Sequence, residues 1–181
     1  MTCNSLFGFL TLVTYVATLI PSNIIKIFPH TKKWRINTFL LKKRRMLGLT
    51  AFSLSINHAL ISLDKHDINL LHLSTYNTYY TGITCITIFG LLAFTSNNWS
   101  IRQLKRKWKI LHQLTYVAMF LLLWHIVIMM QDSWTWLTPV ALQLLIITSL
   151  IYLTRLFVKS KETIFKKLEV QNRINKKIEI S

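Results

Sequence analysis

The sequence is poor in acidic residues, glycine, proline and cysteine. Its 181 residues include only six Asp and Glu against 22 Lys and Arg, for a formal net charge of +16. Four glycines and three prolines leave long apolar runs uninterrupted, and such runs are not expected in a soluble domain of this length. No Gly-rich dinucleotide fingerprint occurs, so we do not expect the chain to oxidise a nicotinamide by itself.

The other scarce features also exclude function classes. Cys3 and Cys85 lie far apart, so the sequence supports neither a disulfide framework nor a cysteine metal site. The excess positive charge does not indicate nucleic-acid binding, because the basic residues lie between apolar spans and membrane topology accounts for them. The first apolar run has no preceding Lys or Arg and no small-residue cleavage site, so we expect it to be retained.

Hydrophobic residues are abundant and make up 52% of the chain. Their long runs predict an all-α integral membrane protein with five transmembrane helices. The predicted spans are residues 6–28, 46–63, 79–96, 108–130 and 135–158. Pro21 is expected to kink the first span or end its regular part. Residues 1–158 would form the transmembrane domain. Residues 159–181 would form a basic cytoplasmic tail, which either lies on an anionic membrane surface or is solvated.

The distribution of positive charge predicts the topology. Of the 22 Lys and Arg residues, 21 fall on one side of the predicted spans and Lys65 alone falls on the other. The positive-inside rule then places the N-terminus outside and the C-terminus in the cytoplasm or stroma. Tryptophans flank the spans as interface anchors would, with Trp34, Trp99 and Trp108 on the inner side and Trp134 and Trp136 on the outer side.

Two histidines in the fourth span carry the functional hypothesis. His112 and His125 are ionisable side chains inside a predicted membrane helix, where an unpartnered polar group is costly. The second span supplies a partner, because His58 lies five residues before Leu63 as His125 lies five before Met130. With both helices running outward, the two imidazoles reach equal depth, as bis-histidine ligation of a haem requires. The alternative is that each imidazole simply hydrogen-bonds a neighbouring helix.

Each ligand ring also needs an orienting acceptor, and a helical histidine usually finds a carbonyl one turn back. Leu54 and Leu121 are the predicted acceptors for His58 and His125. Four aromatic side chains are candidates to pack around the haem, although packing between helices is the default for them: Phe52, Tyr116, Phe120 and Trp124.

His112 lies one turn inside the inner interface, level with Arg44 and Arg45, and three interpretations stay open. It ligates a second, inner haem opposite Arg44, with Gly48 making room for the porphyrin; or it binds a flavin, a quinone or a haem propionate; or it is a satisfied interfacial histidine. On an ideal helix His112 and His125 are roughly 140° apart, so serving one partner helix requires a kink between them. The remaining histidines, His30, His66 and His72, are predicted to be loop residues.

Two stretches of the chain resemble a known family. RRMLGLTAFSLSINHALISL and LLAFTSNNWSIRQLKRKWKILHQLTYVAMFLLLWH resemble the ferric-reductase-like transmembrane domain. The resemblance is strongest to its MsrQ (YedZ) type, the haem-binding membrane subunits of a methionine sulfoxide reductase system. The motifs in combination are RRxLGL with a histidine ten residues after the glycine, AFTSN, and W-x-x-L-H with a second histidine 13 residues later. The resemblance covers roughly residues 10 to 158.

The resemblance implies a b-type haem held by His58 and His125, and a role for His112 in a second haem site with Arg44. It implies electrons that come from a separate flavin reductase or quinone and leave to a partner protein on the outer side. The chain departs from the family pattern in having five spans, so an additional N-terminal helix is expected to be absent. Related oxidases carry two histidines on each ligand helix, whereas the second span here has one.

The sequence therefore predicts a transmembrane b-type haem subunit that relays electrons across the bilayer, with FMN or quinone as a further possible cofactor. One alternative is a ferric or other metal reductase that uses the outer haem directly. Another is a haem-free structural or assembly subunit. The composition, rich in Ile, Lys and Asn, favours a bacterial inner membrane or a plastid membrane.

Overall fold

A computed structural model describes residues 3–65, 73–129 and 135–180, and every regular element in those ranges is helical. Five helices are long. They are α1 (Cys3–Ile27), α2 (Arg35–Lys65), α3 (Leu73–Phe94), α6 (Leu114–Met129) and α7 (Leu137–Ile180). Two short helices, α4 (Asn98–Leu104) and α5 (Arg106–Leu111), lie between α3 and α6, and a 3-10 helix at Pro29–Lys33 joins α1 to α2. The predicted all-α class is confirmed.

The number of spans is four or five. Four segments are long and apolar enough to cross a membrane: Asn4–Ile27, Arg35–Asp64, Arg106–Ile128 and Leu137–Glu169. A fifth is obtained if Tyr79–Phe94 and α4 count as one span, although they meet at an angle of 92°. The chain is therefore a multi-span integral membrane protein, and the orientation of its termini stays a prediction.

Several helices continue past their predicted ends. α1 does not end at Pro21, which is buried inside it, and continues to Ile27. α2 begins 11 residues before the predicted start at Met46, because the intervening segment is rich in Leu, Lys and Arg, which favour helix, and contains no Gly or Pro. α7 continues without interruption past residue 158. The predicted division between domain and tail therefore falls inside a helix and stays a prediction.

The five long helices pack in a closed ring. α1 packs against α2 and α7, α3 packs against α2 and α6, and α6 packs against α7. All five contribute to one hydrophobic core: Leu12, Tyr15, Val16, Leu19, Ala51, Phe89, Ala118, Met119, Ala141 and Leu145. Within the described residues α2 and α6 are not packed side by side, so they face each other across the bundle.

The predicted fourth span is interrupted near its inner end. α5 ends at Leu111 and α6 begins at Leu114, with His112 and Gln113 in a turn between them. The backbone N–H of Gln113 donates to the Ile110 carbonyl at 3.0 Å, a tighter pairing than that of an α-helix. His112 therefore lies in a turn between α5 and α6, so the angle calculated for an ideal helix does not apply to the spacing of His112 and His125.

Candidate cofactor sites

The imidazole of His58 has a defined tautomer. His58 lies on α2, and its Nδ1 is 3.0 Å from the backbone carbonyl oxygen of Asn4 on α1. A carbonyl oxygen only accepts hydrogen bonds, so Nδ1–H must be the donor. Nε2 is then left with a lone pair, which is the form in which a neutral imidazole binds a metal.

The imidazole of His125 is held by a side chain from another helix. His125 lies on α6, and its Nδ1 is 3.0 Å from the hydroxyl oxygen of Thr81 on α3. Thr81 is fully buried. When the hydroxyl oxygen accepts from Nδ1–H, Nε2 is again the nitrogen with the free lone pair.

The predicted orienting carbonyls of Leu54 and Leu121 are wrong. Each ring turns away from its own helix and is hydrogen-bonded by a neighbouring one, through Asn4 and Thr81. The carbonyl one turn back serves only His112, whose Nδ1 is 3.2 Å from the Trp108 carbonyl oxygen. The expected hydrogen bond to the carbonyl one turn back is thus found at the helix break. Inside the bundle, partners on other helices accept the hydrogen bond instead.

Glycines on neighbouring helices allow both outer rings to pack closely. A Cβ atom at Gly8 on α1 would lie 3.1 Å from Cε1 of His58, and one at Gly82 on α3 would lie 2.9 Å from Cε1 of His125. A real Cβ would therefore collide with the His125 ring and crowd the His58 ring. Each ring is fixed by one hydrogen bond and one glycine, both from a helix that supplies no ligand.

The two rings come from opposite sides of the bundle. His58 and His125 are within electrostatic reach of each other, while their helices, α2 and α6, are not adjacent in the ring. Two neutral imidazoles on facing helices form the donor set that a bis-histidine haem needs. No group of three or more His, Cys, Asp or Glu that could hold a metal occurs among the described residues, and a haem iron needs only two such ligands from the chain.

A separate cavity of about 530 Å³ opens at the basic end of the bundle. It is lined by Arg44, Gly48 and His112, the three residues predicted from sequence to bind an inner cofactor. A Cβ atom at Gly48 would meet nothing within 4 Å, so this glycine faces open space. The volume lies in the range typical of small-molecule and cofactor sites.

His112 is positioned in this cavity by two neighbours, Trp108 and Ser96. The ring of Trp108 stacks on it with centroids 3.9 Å apart, and its Nε2 is 3.5 Å from the Ser96 hydroxyl oxygen. Trp108 in turn donates from Nε1 to the Thr95 carbonyl at 2.9 Å. On an ideal helix, His112 would point roughly 140° away from His125. Because the helix is interrupted at His112, this side chain reaches the same cavity as residues of α2. In the part of the chain that the structure describes, no second histidine lines the cavity.

The walls of the cavity carry charge of one sign. Among the described residues, six cationic side chains line it and no carboxylate does: Lys26, Lys42, Arg44, Arg45, Lys109 and Arg155. Arg155 on α7 is also part of a polar cluster with Asn23 of α1 and Tyr116 of α6. An anionic ligand group is the complement of such a wall.

Sequence patterns did not identify several of these residues. Asn4, Thr81, Gly8 and Gly82 act on residues at least 43 positions away in sequence, so no local pattern connects them. Trp108 contacts His112 instead of serving only as a lipid anchor. The few glycines could have been used to predict the sites, because three of the four border a candidate site.

The other predicted residues have varied surroundings. Of the aromatic candidates, Tyr116 lines the inner cavity and Phe52 packs next to Gly90, whereas Phe120 and Trp124 are exposed on the surface of the bundle. His30 is an exposed residue of the 3-10 helix, as its predicted loop position suggests. His66, His72 and Trp134 lie outside the described residues.

The fold and the two sites define a multi-span helical membrane protein with a histidine pair in its bundle and a cationic cavity at one end. Comparison with known families gives the same class. The family model described as "Ferric reductase like transmembrane component" matches residues 7–123, and the chain belongs to this family. The match includes His58 and His112 and ends two residues before His125.

Curated relatives show which members of this family the chain is similar to. The chain is 41% identical over 85 residues to the protein-methionine-sulfoxide reductase heme-binding subunit MsrQ of Brucella ovis, and to its counterparts in Brucella canis and Brucella suis. The alignment covers 44% of this chain and 38% of each relative, so the chain matches well under half of their length. No solved structure matches the chain.

Proposed function

We propose that this protein is a transmembrane electron-transfer subunit that holds one b-type haem between His58 and His125. The observation that carries the proposal is the pair of imidazoles on facing helices α2 and α6, each with Nδ1 already hydrogen-bonded. The names of the Brucella relatives, which call them heme-binding subunits, support it. When bound, the haem supplies one-electron redox chemistry near the non-basic side of the membrane.

The protein's part is to hold two ligands ready for iron. The Asn4 carbonyl fixes the tautomer of His58, and Thr81 orients His125, so that both present Nε2. Gly8 and Gly82 let the neighbouring helices pack against the rings. Because the rings are held before the haem arrives, little ordering entropy is lost when it binds.

We propose a second cofactor in the inner cavity, held by Arg44, Gly48 and His112. The cavity is of cofactor size and offers one histidine. That favours a flavin such as FMN, a quinone, or a haem with a single protein ligand over a second bis-histidine haem. Gly48 and His58 are ten residues apart on α2, which is roughly 15 Å along the helix. Two redox groups at these depths would divide the crossing into shorter steps.

The charge asymmetry favours one orientation of the bundle in the membrane. With 21 of the 22 Lys and Arg residues on one side, the inner cavity faces the cytoplasm or stroma and the histidine pair lies toward the opposite face. A separate flavin reductase or a quinone would donate electrons at the cavity. A redox partner protein on the outer side would accept them, in a bacterial inner membrane or a plastid membrane.

The proposal is tested on the purified full chain reconstituted with haem. His58→Ala and His125→Ala are each expected to abolish the low-spin spectrum of the reduced protein, because one axial ligand is lost. His112→Ala and His30→Ala are the matched controls, and both are expected to keep that spectrum. A normal low-spin spectrum in either outer variant would refute the pairing.

The family description favours one second candidate, a metal reductase that uses the outer haem directly. The two functions differ in what reoxidises the reduced protein. Adding a ferric chelate to the dithionite-reduced, desalted protein would cause rapid reoxidation if the chain is a metal reductase. Slow reoxidation, at the rate of a redox-inert chelate control, favours transfer to a protein partner.

A further inference from the structure

Arg155 is a cation inside the predicted fifth span, and its hydrogen-bond partners among the described residues are uncharged. It lies on α7, and its Nη1 donates to Asn23 Oδ1 at 2.7 Å and to the Tyr116 hydroxyl at 2.6 Å. Its Nε is buried and has no hydrogen-bond partner among the described residues. An ionisable side chain at membrane depth is costly unless it is paired, and it commonly marks a functional site.

The surroundings of Arg155 add positive charge and no negative charge. Arg155 lines the inner cavity, whose lining residues include no carboxylate. Lys26 lines the same cavity and lies within like-charge range of Arg155. A bound anion between them would replace this repulsion by two favourable interactions.

Neighbouring aromatic and polar side chains fix the position of the Arg155 guanidinium. Its carbon lies 5.5 Å from the ring centre of Tyr116 and 6.0 Å from that of Tyr152, and these two rings stack 4.0 Å apart. Nη1 is used by Asn23 and Tyr116, and Nε is buried without a partner among the described residues, so the guanidinium keeps donors for a further acceptor. A guanidinium edge matches the two oxygens of a carboxylate or phosphate.

We propose that Arg155, with Lys26, binds the acidic group of the ligand that occupies the inner cavity. The ligand is an organic anion whose carboxylate or phosphate pairs with the Arg155 guanidinium where Arg155 lines the cavity. Its flat apolar part lies toward the deeper wall formed by Tyr15, Ala51 and Phe89. This inference rests on the proposed inner cofactor site and assigns it a chemical class. Haem propionates, a flavin phosphate and the headgroup of an anionic lipid share this chemistry, whereas a quinone has no such group.

The experiment compares probes that differ only in the acidic group. The full chain in nanodiscs, with its outer haem bound, is titrated with FMN and with riboflavin, and separately loaded with haem or haem dimethyl ester. A third arm compares nanodiscs of anionic and zwitterionic lipid for competition with the FMN. The wild-type protein is expected to bind the acidic member of one pair at least tenfold more tightly, and the pair that discriminates identifies the source.

The variants assign this discrimination to Arg155. Arg155→Gln is expected to reduce the preference for the acidic probe to about one, while Arg155→Lys keeps part of it. Arg102→Gln, which removes an exposed arginine on the same side that does not line the cavity, is expected to leave the preference unchanged. Tyr116→Phe removes one group that holds the guanidinium and should lower the preference partially.

The outcomes separate this inference from the haem proposal. Equal binding of both members of every pair by the wild-type protein, with no effect of lipid charge, would overturn the anion site. So would an unchanged preference in Arg155→Gln. The low-spin spectrum of the outer haem is followed in every sample, and its retention shows that the bundle is folded and the histidine pair intact. If Arg155→Gln does not fold, the proposal is tested by the preference of the wild-type protein for the acidic probe and by its decrease in Arg155→Lys.

Discussion

The two ends of this bundle are built on opposite principles. At the outer end two neutral imidazoles are packed against glycines and fixed by single hydrogen bonds. At the inner end a cavity of about 530 Å³ is lined by six cations, and Gly48 faces open space. The first arrangement suits a cofactor that is held permanently by its iron, and the second suits a ligand recognised by charge.

The strongest test of the difference in packing between the two ends is to add one methyl group at each end. Gly82→Ala places a Cβ 2.9 Å from the His125 ring, so we expect the ring to be displaced and the low-spin haem spectrum to be lost or altered. Such overpacking typically costs about 1–3 kcal/mol. Gly48→Ala, the matched control, meets no atom within 4 Å and should leave thermal stability and the outer haem unchanged. Equal effects of the two substitutions would contradict the proposed difference between the ends.

A smaller effect is expected from the hydrogen bond to His125. Thr81→Val keeps the shape of the side chain and removes the hydroxyl that orients the ring, and loss of such a partner typically weakens metal binding about 10- to 100-fold. Haem retention under competition with apomyoglobin is the measurement, together with the midpoint potential. Thr81→Ser restores the hydroxyl and should restore both. If Thr81→Val and Thr81→Ser behave alike, Thr81 does not orient the ligand.

The smallest effect is expected at the inner end, from Trp108→Phe. This change keeps an aromatic ring against His112 and removes the Nε1–H donor to the Thr95 carbonyl, a loss of about 1 kcal/mol. Thermal unfolding followed by circular dichroism should show a small decrease in midpoint, and the outer haem spectrum should not change. Trp99→Phe, at an exposed tryptophan, is the control. A changed outer spectrum would show that the two ends are coupled.

The sequence predicts the outer site only as far as local spacing reaches, and the pairing of His58 with His125 stays a prediction. The depths of His58 and His125 follow from counting residues to the ends of apolar runs, and the helical class follows from the same runs. Their orienting partners were not predictable, because Asn4 and Thr81 belong to helices remote in sequence whose packing order the spans do not encode.

The inner site shows a different limit. Arg44, Gly48 and His112 were selected because they are level in depth, and all three line the cavity. Arg155 was counted only as one of the 21 basic residues on the inner side, since topology rules sum such residues without regard to which way they point. That α7 directs it toward Asn23 and Tyr116 depends on helix packing.

The bond from His58 to the Asn4 carbonyl has a consequence for how this protein tolerates change. A main-chain oxygen is present whatever side chain occupies position 4, so substitutions there leave the acceptor in place. Only displacement or deletion of the segment removes it. The first helix donates no ligand, yet a fragment that begins after it should fail to keep iron.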